Sequence, residues 1–385
     1  MENAERAEAP AAIGVTALSP GGWLVLSGLV LAFVASVLGV ARCRRWFLQA
    51  LAALVAFTMA AAAGVGGVNA YYGYYTTWSA LAGDLRADNG VAAIPVRIPV
   101  TATGAPTRVE PVPSSAVIGR WTVRHLALPG PVSGVQGRSG LVVLPPAAAR
   151  SGPLPVLILL HGEPGEPSSW TGGLQIATVL QREAALGLVG PLVVVLPDVS
   201  GGFRDQQCLD AAGGPRLATY LAQDVPRDVA AALPVATPGS AWGIGGLSEG
   251  AFCASDVALH RPSSWGAVAV LDGYFRPDVT RAVVRRVYYG QRSRASADDV
   301  QALAQSAEPL PAFWVMAGTR NAQDYHRAVS FATALGRRQS PRFVTVIGGR
   351  HTTPAWRTAL PDLLRWASAE LRGHGYGGSI DLPLE

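Results

Sequence analysis

The chain has no lysine. Its 31 basic side chains are all arginines, in runs no longer than two, and they exceed the 26 Asp and Glu residues by five. Scattered arginine, even at a pI near 9.4, is not the basic stripe that nucleic acid binds, so no nucleic-acid partner is expected. Charge of either sign is scarce, at 15% of residues against about 25% in an ordinary soluble domain. Three cysteines are too few for a disulfide-framed miniprotein. With 49% hydrophobic residues and a mean hydropathy of +0.26, the chain is too apolar to be mainly disordered. The apolar surplus points instead to membrane segments beside one large domain.

The surplus lies at the front. Gly21 to Val40 carries no charge, and at about 1.5 Å per residue it spans about 30 Å, one hydrocarbon core. Arg42, Arg44 and Arg45 follow, then a second uncharged run from Trp46 to Ala70 ending at Tyr71, Tyr72, Tyr74 and Tyr75, which suit an interfacial aromatic belt. A signal peptide is the competing reading. No basic region opens the chain, and two runs flank a basic loop, which favours a two-helix transmembrane hairpin over 21–70. Tail 1–20, with Glu2, Glu5, Arg6 and Glu8, is acidic, whereas loop 41–45 is basic. The positive-inside rule then puts the loop in the cytoplasm and the tail, with everything after residue 70, outside. The expected location is the cell membrane, with two spans. The part beyond the membrane keeps a mild positive bias towards acidic surfaces.

Residues 71–119 read as a juxtamembrane segment and linker, rich in Pro, Val, Ala and Thr between Gly90 and Ser115. From Arg120 the pattern changes. Apolar runs at Gly140–Leu144, Pro155–Leu160, Pro191–Leu196, Ala241–Gly245, Gly266–Leu271, Ala312–Ala317 and Arg342–Ile347 alternate with helical stretches. Those stretches include Gln175–Leu186, Leu217–Ala232 (broken or kinked at Pro226) and Tyr325–Leu335. Short continuous apolar runs are how strands buried on both faces read. The expected fold over 120–373 is α/β with a mostly parallel central sheet. The last helix is expected at Pro361–Leu371, with a flexible tail at 374–385.

The sharpest motif is Gly246-Leu247-Ser248-Glu249-Gly250, between an apolar run and a helical pattern. G-x-S-x-G in a strand-to-helix turn is the nucleophile elbow of α/β-hydrolases. The turn is so sharp that side chains at the two glycine positions would collide with strand and helix. A serine there needs a base and an acid in chain order Ser, Asp/Glu, His. His351, in the loop after the last strand, is the expected base, because sheet sites gather at strand C-terminal ends. The loop after Ala312–Ala317 holds one carboxylate, Asp324, expected to orient the imidazole; a helix N-cap is its plain alternative, and Asp272 is the runner-up acid. Oxyanion donors are expected at the Glu249 N–H and, in Leu160-His161-Gly162-Glu163, at the Glu163 N–H. His161 reads as support for that loop. Cys208 and Cys253 fall in the outer domain, where an oxidising exterior allows them to pair; otherwise Cys253 is a small core residue. Cys43 stays in the cytoplasmic loop. No Cys/His cluster has zinc spacing, and neither metal nor cofactor is expected.

The stretches Leu159-Leu160-His161-Gly162 with Trp170, Gly246–Ala254, Phe313–Gly318 leading to Asp324, and Gly349-Arg350-His351 with Trp356 carry a family likeness. From about Arg120 to Leu371 the chain resembles the actinobacterial esterase group that includes esterase D and the antigen 85 mycolyltransferases. That resemblance implies an α/β-hydrolase fold and acyl transfer or hydrolysis through a serine acyl-enzyme. The mycolyltransferases use a glutamate where this chain has Asp324. They tend to have an apolar residue in the His161-Gly162-Glu163-Pro164 loop, and no trehalose-site signature follows Asp272. The expectation is therefore a membrane-anchored serine esterase or acyltransferase acting on an acyl ester or glycolipid, near membrane lipid, with no obligate protein partner. A catalytically silent envelope scaffold is the alternative, disfavoured because all three triad residue types stand in order.

Overall fold

A computed structural model of the chain describes residues 22–42, 45–72, 110–111, 117–118, 121–135, 139–146, 152–199, 207–373 and 379–383, with 18, 20 and 78. The chain divides into an N-terminal helical unit and a larger unit that holds the sheet.

The N-terminal unit is two helices, α1 (Trp23–Arg42) and α2 (Trp46–Tyr72). They pack on each other, and the Asn69 amide donates to the Pro20 carbonyl beside the start of α1. Leu31, Trp46, Leu54 and Phe57 project outward, more than half exposed. Among the described residues one helix segment, Trp46–Ala70, is long and apolar enough to cross a membrane. One member of the expected pair of spans is thus matched by length and composition. Among the described residues α1 carries a shorter apolar stretch, Trp23–Leu38.

In the larger unit, eleven strands among the described residues form one sheet. They are β1 (Glu110–Pro111), β2 (Val117–Ile118), β3 (Trp121–Ala127), β4 (Ser139–Leu144), β5 (Val156–Leu160), β6 (Val193–Pro197), β7 (Gly239–Leu247), β8 (Trp265–Leu271), β9 (Ala312–Gly318), β10 (Arg342–Ile347) and β11 (Ser379–Pro383). Their order is β1-β3-β4-β6-β5-β7-β8-β9-β10-β11, with β2 also on β3. Strands β3 and β4 are antiparallel to their neighbours, whereas β6 through β11 run parallel. On β5, Val156, Ile158 and Leu160 enter one core while Leu157 and Leu159 enter the other. Both faces are therefore covered by helices, as a continuous apolar run requires.

Three expectations change at the borders. Glu110–Pro111, inside the stretch read as linker, pairs with β3 on the sheet edge, where a proline does not break a ladder. Ser379–Pro383, inside the stretch read as a flexible tail, pairs in parallel with β10. The last helix runs from Thr353 to Glu370, straight through Pro361. Trp356, Leu360, Leu363, Leu364 and Ala367 form its buried stripe, and that burial outweighs the hydrogen bond the proline cannot make. The break expected near Pro226 is a π-helical turn, Tyr220–Asp224, just before it.

Candidate active site

Strand β7 ends at Leu247 and the elbow helix Glu249–His260 begins two residues later. Ser248 makes this turn alone, at φ 56° and ψ −120°, a conformation that costs a non-glycine residue on the order of 1–3 kcal/mol. The Ser248 N–H donates to the Leu271 carbonyl on β8 (2.9 Å). The motif glycines are needed for contact. A Cβ on Gly250 would lie 2.6 Å from the Leu160 carbonyl oxygen and closer still to that of His161. A Cβ on Gly246 would strike the Gly250 backbone. The helix thus lies directly against the end of β5, and Ser248 is half-exposed at its N-terminus.

The loop after β5 borders the serine. A Cβ on Gly162 would sit 3.1 Å from that of Ser248, which brings the Gly162–Glu163 backbone beside the serine. His161 is buried beneath the loop. Its Nε2 accepts from the Val199 N–H (3.1 Å), so Nδ1 carries the proton and donates to the Gly162 carbonyl (2.8 Å). A side chain held at both nitrogens supports the loop, as expected.

Asp324 and His351 follow the ends of β9 and β10. Asn321 caps the helix Ala322–Leu335 by accepting from the Asp324 N–H, and its amide donates back to Asp324 Oδ2. The cap is therefore Asn321, and Asp324 sits at the third helical position. His351 follows the turn at Gly348, whose φ is +78°. The two loops are laced together: Thr319 N–H donates to Val346 O (3.1 Å), Arg320 N–H to Gly349 O (2.8 Å), and Gly348 N–H to Thr319 Oγ1 (2.9 Å). His351 Nδ1 faces Asp324 Oδ2 at 3.7 Å, beyond hydrogen-bond length, and Nδ1 is buried with no hydrogen-bond partner. Such contacts in substrate-free sites are often long and tighten in the complex. Burial pulls the His351 pKa below its usual value, and the Asp324 charge opposes that pull. Trp356 presses edge-on against the imidazole, ring centres 5.2 Å apart.

The profile of the Esterase family, described as "Putative esterase", matches residues 136–367, more than half of the chain. The chain belongs to this esterase family. Solved structures agree on an α/β-hydrolase fold. A ferulic acid esterase superposes at a TM-score of 0.56 with 19% identity, covering 66% of this chain and 99% of that one. MPT51 of Mycobacterium tuberculosis superposes at 0.50 with 16% identity, covering 64% and 97%. An uncharacterized protein of Corynebacterium glutamicum is 28% identical over 250 residues, 61% of this chain. The chain spans 58% of that relative's length.

The runner-up acid, Asp272, bridges two loops. It ends β8 at φ 48° and is buried. Its Oδ1 accepts from the Gly318 N–H (3.1 Å) and its Oδ2 from Trp356 Nε1–H (2.9 Å). One carboxylate thereby joins the start of the Asp324 loop to the tryptophan against His351. Burial, above all, and the Asp324 charge lift its pKa to about 7, against the two donors. Sequence reading had no signal for this bridge, nor for Asn321, beyond the Asn-x-x-Asp spacing of a capping box. Cys208 and Cys253 form a disulfide, Cα atoms 5.4 Å apart, tying the segment after β6 to the second turn of the elbow helix. The expected oxyanion residue Glu249 is the first residue of that helix.

Proposed function

We propose that this esterase is a membrane-anchored, extracytoplasmic serine esterase or acyltransferase whose triad is Ser248, His351 and Asp324. The observation that carries the reading is the strained Ser248 turn, with its glycines pressed against β5 and the His351–Asp324 pair on adjoining strand ends. A serine is held at positive φ beside a loop of backbone donors when that cost is repaid by function.

His351 Nε2 takes the Ser248 Oγ proton as Oγ attacks the ester carbonyl carbon. Asp324 holds Nδ1–H and stabilises the imidazolium. The oxyanion is received by the Glu249 and Glu163 N–H groups. The intermediate collapses, and the alcohol leaves with the proton from His351. Water or a sugar hydroxyl then attacks the acyl-enzyme by the same route in reverse. The second acceptor separates hydrolysis from mycolyltransferase-type transfer.

For the setting, α2 suits a span, α1 presents apolar side chains outward, and Arg42 and Arg45 flank their connection. The Cys208–Cys253 disulfide suits an oxidising compartment. An anchored site beyond the membrane meets lipid-like or glycolipid esters rather than cytosolic metabolites. A fluorophosphonate probe followed by peptide mass mapping tests the chemistry: the adduct should fall on Ser248 and vanish in Ser248→Ala. An adduct elsewhere, or none on folded protein, would make the chain a silent scaffold. Adding trehalose to an acyl-ester assay separates transfer from hydrolysis. Protease added to intact spheroplasts should release the hydrolase domain; protection until lysis would reverse the topology.

A further inference from the structure

At the far end of the elbow helix, about 18 Å from Ser248 by helical rise, lies a cavity of about 380 Å³. Asp256, His260 and Asp298 face it together. Asp256 and His260 share one helix face at i, i+4, and Asp298 closes the 3-10 turn Arg292–Asp298. One ligand atom from each falls within 4.8 Å of the others.

One buried atom of the cluster stands without a hydrogen-bond partner. Asp256 Oδ1 is buried and accepts no hydrogen bond. His260 Nδ1 lies 3.3 Å from it but is closer to the Asp256 carbonyl, at 3.0 Å, and a proton on Nδ1 is spent there. That tautomer leaves the Nε2 lone pair facing Asp298 Oδ1 across 3.7 Å. The gap is too long for a hydrogen bond, yet it matches two metal bonds of about 2.0–2.2 Å each. Tyr288 O–H donates to Asp298 Oδ2 (2.8 Å) and fixes that carboxylate, as outer-shell partners of metal ligands do.

We propose that Asp256, His260 and Asp298 bind a divalent cation of the zinc class, clamping the C-terminal end of the elbow helix to the turn Arg292–Asp298. One imidazole with two carboxylates suits Zn²⁺ better than Ca²⁺ or Mg²⁺. The helix C-terminus adds its own attraction for a cation. Asp210 lines the same cavity and adds negative charge. Arg261 and Arg294 line it too, but the Arg294 guanidinium is engaged by Gln291 and lies over Tyr289. The sequence hid the site because its third ligand lies far along the chain, outside any zinc spacing.

The test uses the full chain in detergent, stripped with chelator, followed by thermal unfolding and titration calorimetry with Zn²⁺ and, separately, Mg²⁺. Zn²⁺ at a hundredfold excess over its Kd should raise Tm by about 5 °C or more, and Mg²⁺ should not. His260→Gln and Asp298→Asn should each weaken Zn²⁺ binding at least tenfold while keeping the near-UV circular dichroism of the wild type. No shift in the wild type would overturn the proposal. An equal shift in both variants would place the ion elsewhere and overturn it too. A Zn²⁺-insensitive chain whose Tm rises on acidification only while His260 is present would show that a proton fills the gap instead.

Discussion

Replacing Cys253 by alanine opens the link between Cys208 and Cys253, which lie 45 residues apart in sequence. In the chain-entropy model, closing a loop of that length removes about 4 kcal/mol of freedom from the unfolded state. Both cysteines are almost wholly buried, and Cys253 packs in the core cluster with Phe252, Ala254 and Val257. Deleting its sulfur adds on the order of 1 kcal/mol for lost burial and the void left behind. A domain of this size moves by about 2–4 °C per kcal/mol, so Tm should fall by about 10 °C or more. The assay is thermal unfolding of the full chain followed by circular dichroism, with and without reductant. Dithiothreitol should lower the wild-type Tm by a similar amount and leave Cys253→Ala unmoved. Cys208→Ala should behave like Cys253→Ala, because either change opens the same loop. Two freely alkylated thiols in native protein from an oxidising compartment, or a wild-type Tm indifferent to reductant, would refute the reasoning.

The other predictions concern the site. His351 must be neutral to accept a proton, and its pKa lies below the usual 6.5, so activity should rise with pH through an inflection below 6.5 and hold through neutrality; an inflection above 7 would contradict this. Asp324→Asn removes the charge that opposes the burial effect, so it should shift that inflection lower still while cutting kcat by about 10³–10⁴ with the fold intact, read from a pH–rate series. Asp272→Asn leaves one of two donors facing an amide N–H, so it should cost about 1–3 kcal/mol in denaturant unfolding but far less turnover than Asp324→Asn. Gly250→Ala pushes a methyl into two backbone carbonyls that cannot swing away; it should cost at least about 2 kcal/mol and slow labelling of Ser248, and a wild-type melt would contradict the close approach of helix and strand.

The strands were legible because the sheet is covered on both faces. Val156–Leu160 and Arg342–Ile347 read as strands from apolar runs alone. The misreadings lie where one local rule was outweighed. Strand β7 extends from Gly239 to Leu247, beyond the apolar run, because Gly239 pairs with Trp265 and Gly246 and Leu247 pair with Val270 and Leu271 on β8. Pro361 looked like a helix start because a proline interrupts a ladder, yet the buried stripe from Trp356 carries the helix through it. Strands of two to five residues at the sheet edge, Glu110–Pro111 and Ser379–Pro383, have too little pattern to register.

The choice of acid shows what structure adds to motif. Sequence order allows both Asp272 and Asp324 before His351, and each follows a strand whose end opens onto the same side of the sheet. Burial alone would favour Asp272, since it is the more deeply enclosed of the two. Hydrogen bonding favours the proposed assignment of Asp324. Both Asp272 oxygens already accept, one from the Gly318 N–H and one from Trp356 Nε1–H, and a carboxylate so held has its best lone pairs spent. Asp324 turns Oδ2 towards His351 Nδ1 while that oxygen accepts from the Asn321 amide and Oδ1 faces the Arg327 guanidinium. A catalytic acid must be able to strengthen its bond as the imidazole gains charge, whereas a framework acid must not move. The proposed triad requires Asp324 Oδ2 to close from 3.7 Å to hydrogen-bond length. Asp272, buried between two loops, holds the Trp356 indole against the imidazole while that happens.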